Sequence, residues 1–382
     1  MTFLERITAV LHNQPPDRVP FAPYDNLVPR GEFERTLRNR GMGMCSRIST
    51  IYSSMPNVSV EYRNVNDTLV TTYHTPEGEL SKRSRLHAGR VSDNQSFELE
   101  GLIKTKKDYD AAIFMLDDTV FHVDNNVYYD KVRDLGGDGI VRDWALDTEA
   151  SPYASVRTFY GEISGLDSWI YAQQDLPDHF SALVAAQTRR DERRLLLAAE
   201  SPAEFVNFGW LEGMWSPAKF RKYELPFYEK WVSYLQAKGK ICALHCDATN
   251  TLDSYKEMIR QTGVKVVEAF TPPPVGTLSL KEARAAWGQE TVIWVNVPET
   301  IFYSGADYTR GYMKELLLSD PPGTSLVIGF TEMGTWGATD DETGRLFREG
   351  TLAVMDAIDE VSSGILRSLR SLRMTNQTRR KI

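Results

Sequence analysis

Residues 238–277, KGKICALHCDATNTLDSYKEMIRQTGVKVVEAFTPPPVGT, constrain the fold more than any other stretch. Two short apolar runs, Ile241–Leu244 and Val264–Phe270, each stop abruptly at polar, turn-forming residues. Between them Leu252, Tyr255, Met258 and Ile259 recur at helical spacing. Strand, helix and strand in this order predict a βαβ unit of a parallel sheet, because parallel strands need a crossover. His245, Cys246 and Asp247 follow the first strand directly, while Glu268 and the Pro272–Pro274 run close the second. The carboxyl ends of parallel strands are where α/β folds bind ligands, so this stretch reads as one edge of a site.

The rest of the chain repeats the pattern. An amphipathic helix over residues 3–12 carries Phe3, Leu4, Ile7, Val10 and Leu11 on one face and ends at Pro15–Pro16. DRVPFAPYDN reads as the first strand, and RGEFERTLRNR (30–40) as a helix stopped by Gly41. Further strands are expected at 139–144 (GIVRDW), 204–210, 291–298 and 325–332, with helices at 179–200, 216–239, 278–288, 308–319 and 341–360. In the 179–200 helix the apolar residues face inward and the run RRDERR is expected to be a solvated face. Ser216–Pro217 is an N-cap followed by proline at the first helical position, and Pro226 kinks or divides that helix. Residues 58–100 depart from the pattern: VSVEYRN, TLVTTYH and ELSKRSRL are β-branched runs separated by Asn66–Asp67 and Pro76–Glu77–Gly78. They predict an antiparallel meander inserted after the first strand. The expected fold is therefore α/β, a (β/α)8 TIM barrel over residues 1–382 with the meander inserted at 58–100 and a basic tail at 365–382. No glycine-rich phosphate loop follows the first strand, which argues against an open dinucleotide-binding sheet.

Composition narrows the function classes. A formal charge of −8 argues against a general nucleic-acid binder. The three cysteines, Cys45, Cys242 and Cys246, form neither a disulfide framework nor a CxxC pair. No apolar run reaches the length of a membrane span, and the charged N-terminus has no signal-peptide core. A soluble, cytoplasmic protein is expected.

The opening ERITAVLHNQPPDRVPF, the segment HCDATNTLDSYKEMIRQTGVKVVEAFTPPPVGTLSLKEARAAWG and the strand GFTEMG resemble the uroporphyrinogen decarboxylase superfamily over nearly the whole chain. That resemblance implies a (β/α)8 barrel and either a decarboxylase or a cobalamin-dependent methyltransferase with zinc at the carboxyl face of the barrel. The region PYDNLVPRGEFERTLRNRG lacks the arginine- and glycine-rich pattern with which the decarboxylases grip a porphyrinogen, and the meander is similar to that of the methyltransferases. Thiol-methylating members hold zinc with His-x-Cys and a later cysteine; here Asp247 stands two after His245, Cys246 is one position off, and the last strand offers Glu332. Ether-cleaving members use two glutamates and a histidine, and Glu212, Glu224 and His245 are similar to that set, with twenty residues between the last two.

An oxygen-rich site leaves Zn2+ a hard Lewis acid suited to an ether oxygen, whereas sulfur ligands suit a thiolate. The resemblance thus implies an aryl methyl ether O-demethylase: His245 and Glu224 are its catalytic residues, and Glu212, Glu224 and His245 hold Zn2+, with Asp247, Glu332 and Cys246 as alternates. The resemblance implies cob(I)alamin as the methyl acceptor, and with no cobalamin-binding domain expected in this sequence it is expected on a separate corrinoid protein. Tyr24, Trp144, Trp210 and Trp336, with Trp215, Asp247 and Glu268, are expected at strand-end loops around a methoxylated ring. Three alternatives stand beside this reading: a metal-free decarboxylase using arginines such as Arg30, a zinc-dependent thiol (coenzyme M-type) methyltransferase using Cys246, and a silent barrel that only binds a corrinoid protein.

Overall fold

The structure, a computed structural model, describes residues 1–85, 97–161, 165–211, 216–246, 253–320, 325–331 and 342–379, with side chains of the last helix described as far as residue 362. Strands and helices alternate along the chain, and the largest sheet has seven strands in chain order: Met44–Ile48, Gly139–Trp144, Phe205–Trp210, Ile241–His245, Val266–Phe270, Val292–Val297 and Leu326–Phe330. Pairs with assigned register run parallel. The chain is mixed α/β. Its last four sheet strands are buried at every position, as parallel strands covered on both faces must be. Among the described residues no helix is long and apolar enough to cross a membrane.

The chain divides into two units. The first comprises Met1–Arg47, Tyr129–Arg142 and Ala243–Ile382. Its opening helix, Phe3–Leu11, starts from a capping box in which Thr2 and Glu5 satisfy each other's backbone N–H groups. Phe3, Ile7, Val10 and Leu11 are buried as expected, while Leu4 is exposed. The Phe3 ring lies where a side chain at position 43 would stand, which only glycine there permits. The expected first strand is short but paired on both edges: Ala22 N–H donates to Ile328 O (2.7 Å), and Cys45 N–H to Pro23 O (2.9 Å). The predicted βαβ unit is present: helix Lys256–Gln261 lies between strands Ile241–His245 and Val266–Phe270, whose register sets His245 opposite Glu268. The next helix, Leu280–Trp287, begins at a second capping box, Ser279 with Glu282. Between Val267 and Phe270 the register against Val292–Val297 shifts, and Ala269 takes φ 58°. A bulge therefore falls immediately after Glu268.

The second unit comprises Ile48–Tyr128 and Asp143–Cys242. Here Ser59–Val65, Thr68–Thr75, Gly78–Arg85 and Phe97–Glu100 form a four-stranded antiparallel sheet in chain order. Asn66 at φ 56° makes the first of its turns, a conformation asparagine tolerates. The predicted long helix spans Pro177–Ala198. One expectation about it is corrected. RRDERR is not a solvated face: Asp191 and Arg194 are fully buried on the same stripe as Phe180, Leu183, Leu195 and Ala198. Arg194 donates to the carbonyls of Ile51 (3.1 Å) and Trp144 (3.2 Å), so its charge ties backbone together inside the unit. The helix at 216–239 is divided, into Pro217–Tyr223 and Leu225–Ala237, with Ser216 capping the first and Glu224 at the junction before Pro226.

Candidate functional site

Within the first unit, three polar side chains converge on the Glu268 carboxylate. Tyr24 donates its hydroxyl hydrogen to Oε1. His245 Nδ1 lies 2.5 Å from Oε2, and Arg142 Nη1 lies 2.7 Å from the same oxygen. All four residues are buried, Arg142 and Glu268 fully. Arg47 covers the Tyr24 ring, its guanidinium carbon 4.1 Å from the ring centre, and Cys45 is buried close by.

Local sequence explains each placement. Ile241–His245 and Val266–Phe270 are neighbouring parallel strands, so His245 and Glu268 at matched register meet side by side. Arg142 comes from GIVRDW, a strand whose first five residues are buried. Tyr24 sits in the short paired segment, bridged to Cys45.

Electrostatics make the cluster self-consistent. Burial alone would push the Glu268 carboxyl up, but the Arg142 guanidinium and His245 outweigh it and hold the group well below the usual carboxylate range. Burial and Glu268 together raise Tyr24 well above an ordinary phenol, which keeps it a hydrogen donor. Burial works against the Arg142 charge, yet Glu268 carries its pKa above the ordinary value. The Cys45 thiol is pushed up to about 12, chiefly by burial. An ionised carboxylate only accepts hydrogen bonds, so the imidazole nitrogen facing Oε2 is the one that carries hydrogen. Nε2 is then the nitrogen without hydrogen, as in the carboxylate–histidine arrangement common behind metal ligands.

The second unit holds the other described candidates. Trp144 and Trp210 are half-buried and stacked on each other, ring centres 4.4 Å apart. Tyr153 and Tyr223 stack at the same separation, nearly parallel. Glu224 is 1% exposed, and with Tyr223 it raises the Tyr153 phenol, whose largest shift comes from burial. Cys246, in the first unit, is buried, and none of the three cysteines forms a disulfide. Glu212, Trp215, Asp247, Glu332 and Trp336 lie outside the described residues, as do the side chains of the basic tail. Among the described residues no three His, Cys, Asp or Glu side chains converge as a metal site. His245, held at Nδ1 by Glu268, nevertheless fits Zn2+ as one nitrogen ligand. Of the arginines expected for substrate carboxylates, Arg30 is paired with Asp134 at 2.8 Å.

The sequence reading missed Arg142 and the partnership of Tyr24 with Glu268. A signal for Arg142 was present: a charged residue on a strand buried in a parallel sheet must find a counter-charge. Tyr24 was expected at a strand-end loop, but nothing local announced Glu268, 244 residues away, as its partner. The sequence matches no model of a known protein family, and no curated protein matches it.

Proposed function

We propose that the protein is a zinc-dependent methyltransferase that removes the methyl group of an aryl methyl ether and delivers it to cob(I)alamin on a separate corrinoid protein. The observation that carries this reading is the buried His245–Glu268 pair, which suits His245 to hold a metal through Nε2 at the carboxyl end of a parallel strand. The methyl group departs as a cation equivalent, and both electrons of the carbon–oxygen bond stay on the aryl oxygen. Bound Zn2+ would supply Lewis acidity that neutralises the charge developing there. His245 holds the metal, Glu268 and Arg142 orient His245, and the resemblance adds Glu224 and Glu212 as oxygen donors. Trp144 and Trp210 offer a flat aromatic face suited to a methoxylated ring.

The scaffold belongs to the same proposal. Pairing of residues 20–25 with both Ile328 and Cys45 supports an eighth strand of a (β/α)8 barrel. The decarboxylase alternative draws less support, since Arg30 and Arg142 are each committed to a carboxylate of the protein itself.

Metal analysis of the purified protein tests the reading, alongside methyl transfer from a methoxybenzene to free cob(I)alamin followed by its visible spectrum. About one zinc per chain is expected, with zinc and transfer both lost in His245→Ala and Glu224→Ala. A wild-type protein that takes up no zinc under any loading condition would overturn the proposal. Zinc lost in His245→Ala but kept in Glu224→Ala would preserve the mechanism and reassign the oxygen donors.

A further inference from the structure

Glu268 is engaged on both oxygens: the Tyr24 hydroxyl takes Oε1 and His245 Nδ1 takes Oε2, with Arg142 Nη1 as the ion-pair partner 2.7 Å from Oε2. A glutamate with only a histidine for a partner keeps its carboxylate free to turn, so that the two oxygens exchange and the imidazole ring can flip. Donors on two different oxygens remove that freedom, because together they fix the plane of the carboxylate. Both anchors are themselves held. Arg142 is fully buried on its strand, and the Tyr24 ring is clamped beneath Arg47. The backbone is held as well: the register shifts just after Glu268, where Ala269 takes a left-handed conformation that alanine adopts only when its surroundings impose it.

We propose that Arg142 and Tyr24 are positioning residues, which lock the Glu268 carboxylate so that Oε2 takes the Nδ1 hydrogen of His245 and the imidazole is fixed in the tautomer whose Nε2 carries the lone pair. Both residues act through Glu268. Arginine suits the task because it has donors only and stays charged, so it can never present an acceptor to Oε2 and reverse the pattern. Tyr24, with its phenol pKa raised, likewise remains a donor. The inference rests on reading His245 as a metal ligand, but it concerns a property of the metal-free protein.

The test is long-range proton–nitrogen correlation spectroscopy of metal-free protein labelled with 15N-histidine, at a pH where the ring is neutral, with His245→Gln assigning the signals. The wild type is expected to show a single Nδ1–H tautomer. Tyr24→Phe and Arg142→Gln are each expected to lose that single pattern for a mixture of tautomers, and Arg142→Lys, which restores one donor, to regain part of it. Wild-type signals in both Tyr24→Phe and Arg142→Gln would overturn the inference and leave the two residues a structural role only. Should Arg142→Gln fail to fold, Tyr24→Phe, which keeps the ring beneath Arg47, decides the matter alone. Zinc content of the wild type is measured separately. A locked tautomer without zinc uptake would sink the methyltransferase reading and spare this one; zinc uptake with variant tautomers unchanged would do the reverse.

Discussion

Replacing Arg142 by methionine isolates the energetics of the cluster. The guanidinium and the Glu268 carboxylate lie 2.7 Å apart, with side-chain exposures of 0% and 1%. With charge centres about 4 Å apart and an effective dielectric of about 20, their attraction is about 4 kcal/mol. Methionine fills similar space but abandons a buried carboxylate, which typically costs about 3–5 kcal/mol. The Arg142→Met variant should lose that much in equilibrium urea unfolding. Adding Glu268→Gln in the same chain should recover most of it, because no unmatched charge then stays buried. The sign of the pH dependence follows from the depressed Glu268 pKa. Its contribution is fully present above the ordinary glutamate value of 4.5 and fades as pH falls through the folded-state value. The gap between wild type and Arg142→Met should therefore be widest above pH 4.5 and narrow in acid. A loss under about 1 kcal/mol, as for an exposed ion pair, would refute the reasoning, as would a gap unaffected by acid.

Asp191 behaves oppositely. Burial pushes its carboxyl up to about 7 despite Arg190 at 3.2 Å, so the folded protein keeps a proton that the unfolded chain releases. Between the ordinary value of 3.8 and about 7, stability should fall as pH rises; Asp191→Asn should gain on the order of 1–3 kcal/mol at pH 8 and little at pH 4, read by thermal unfolding. Equal gains at both pH values would remove burial of charge as the cause. Ala269, at φ 58° after Glu268, should tolerate glycine within about 1 kcal/mol, whereas Ala269→Val should cost about 2–4 kcal/mol in the same assay through a β-branched side chain in a left-handed conformation. An unaffected valine variant would mean that the strand has no bulge there. Cys45 and Cys242, both with thiols raised to about 12 mainly by burial, should resist alkylation in the native protein and react after unfolding.

What the sequence made legible was local. The strand–helix–strand unit around His245 could be read because apolar runs ending in turn residues report on a few neighbouring positions, and so could the Ser216 cap and the turn at Asn66. The buried charges were misread for a related reason. RRDERR looks like a surface when its charges are counted, yet Gln187, Asp191, Arg194 and Ala198 continue the three- and four-residue spacing of Phe180 and Leu183. Periodicity placed Asp191 and Arg194 inside, and residue type argued for outside. Packing follows the stripe where the charge can be met or removed: Asp147 and backbone carbonyls meet Arg194, while Asp191, beside Arg190 and Gln187, keeps its proton.

Arg142 poses the same problem on a strand. A charged residue on a buried strand says that a partner exists without saying which, because the partner is fixed by the order of strands in the sheet. Tyr24 is less legible still: its segment pairs with both Ile328 and Cys45, contacts that no local pattern encodes. The part of the candidate site that sequence revealed, His245 and Glu268, lies on adjacent strands of one βαβ unit. The part it concealed comes from distant segments that supply donors to a single carboxylate. The strand register brings His245 to Glu268, and groups on both oxygens from those distant segments hold the carboxylate in one orientation toward it.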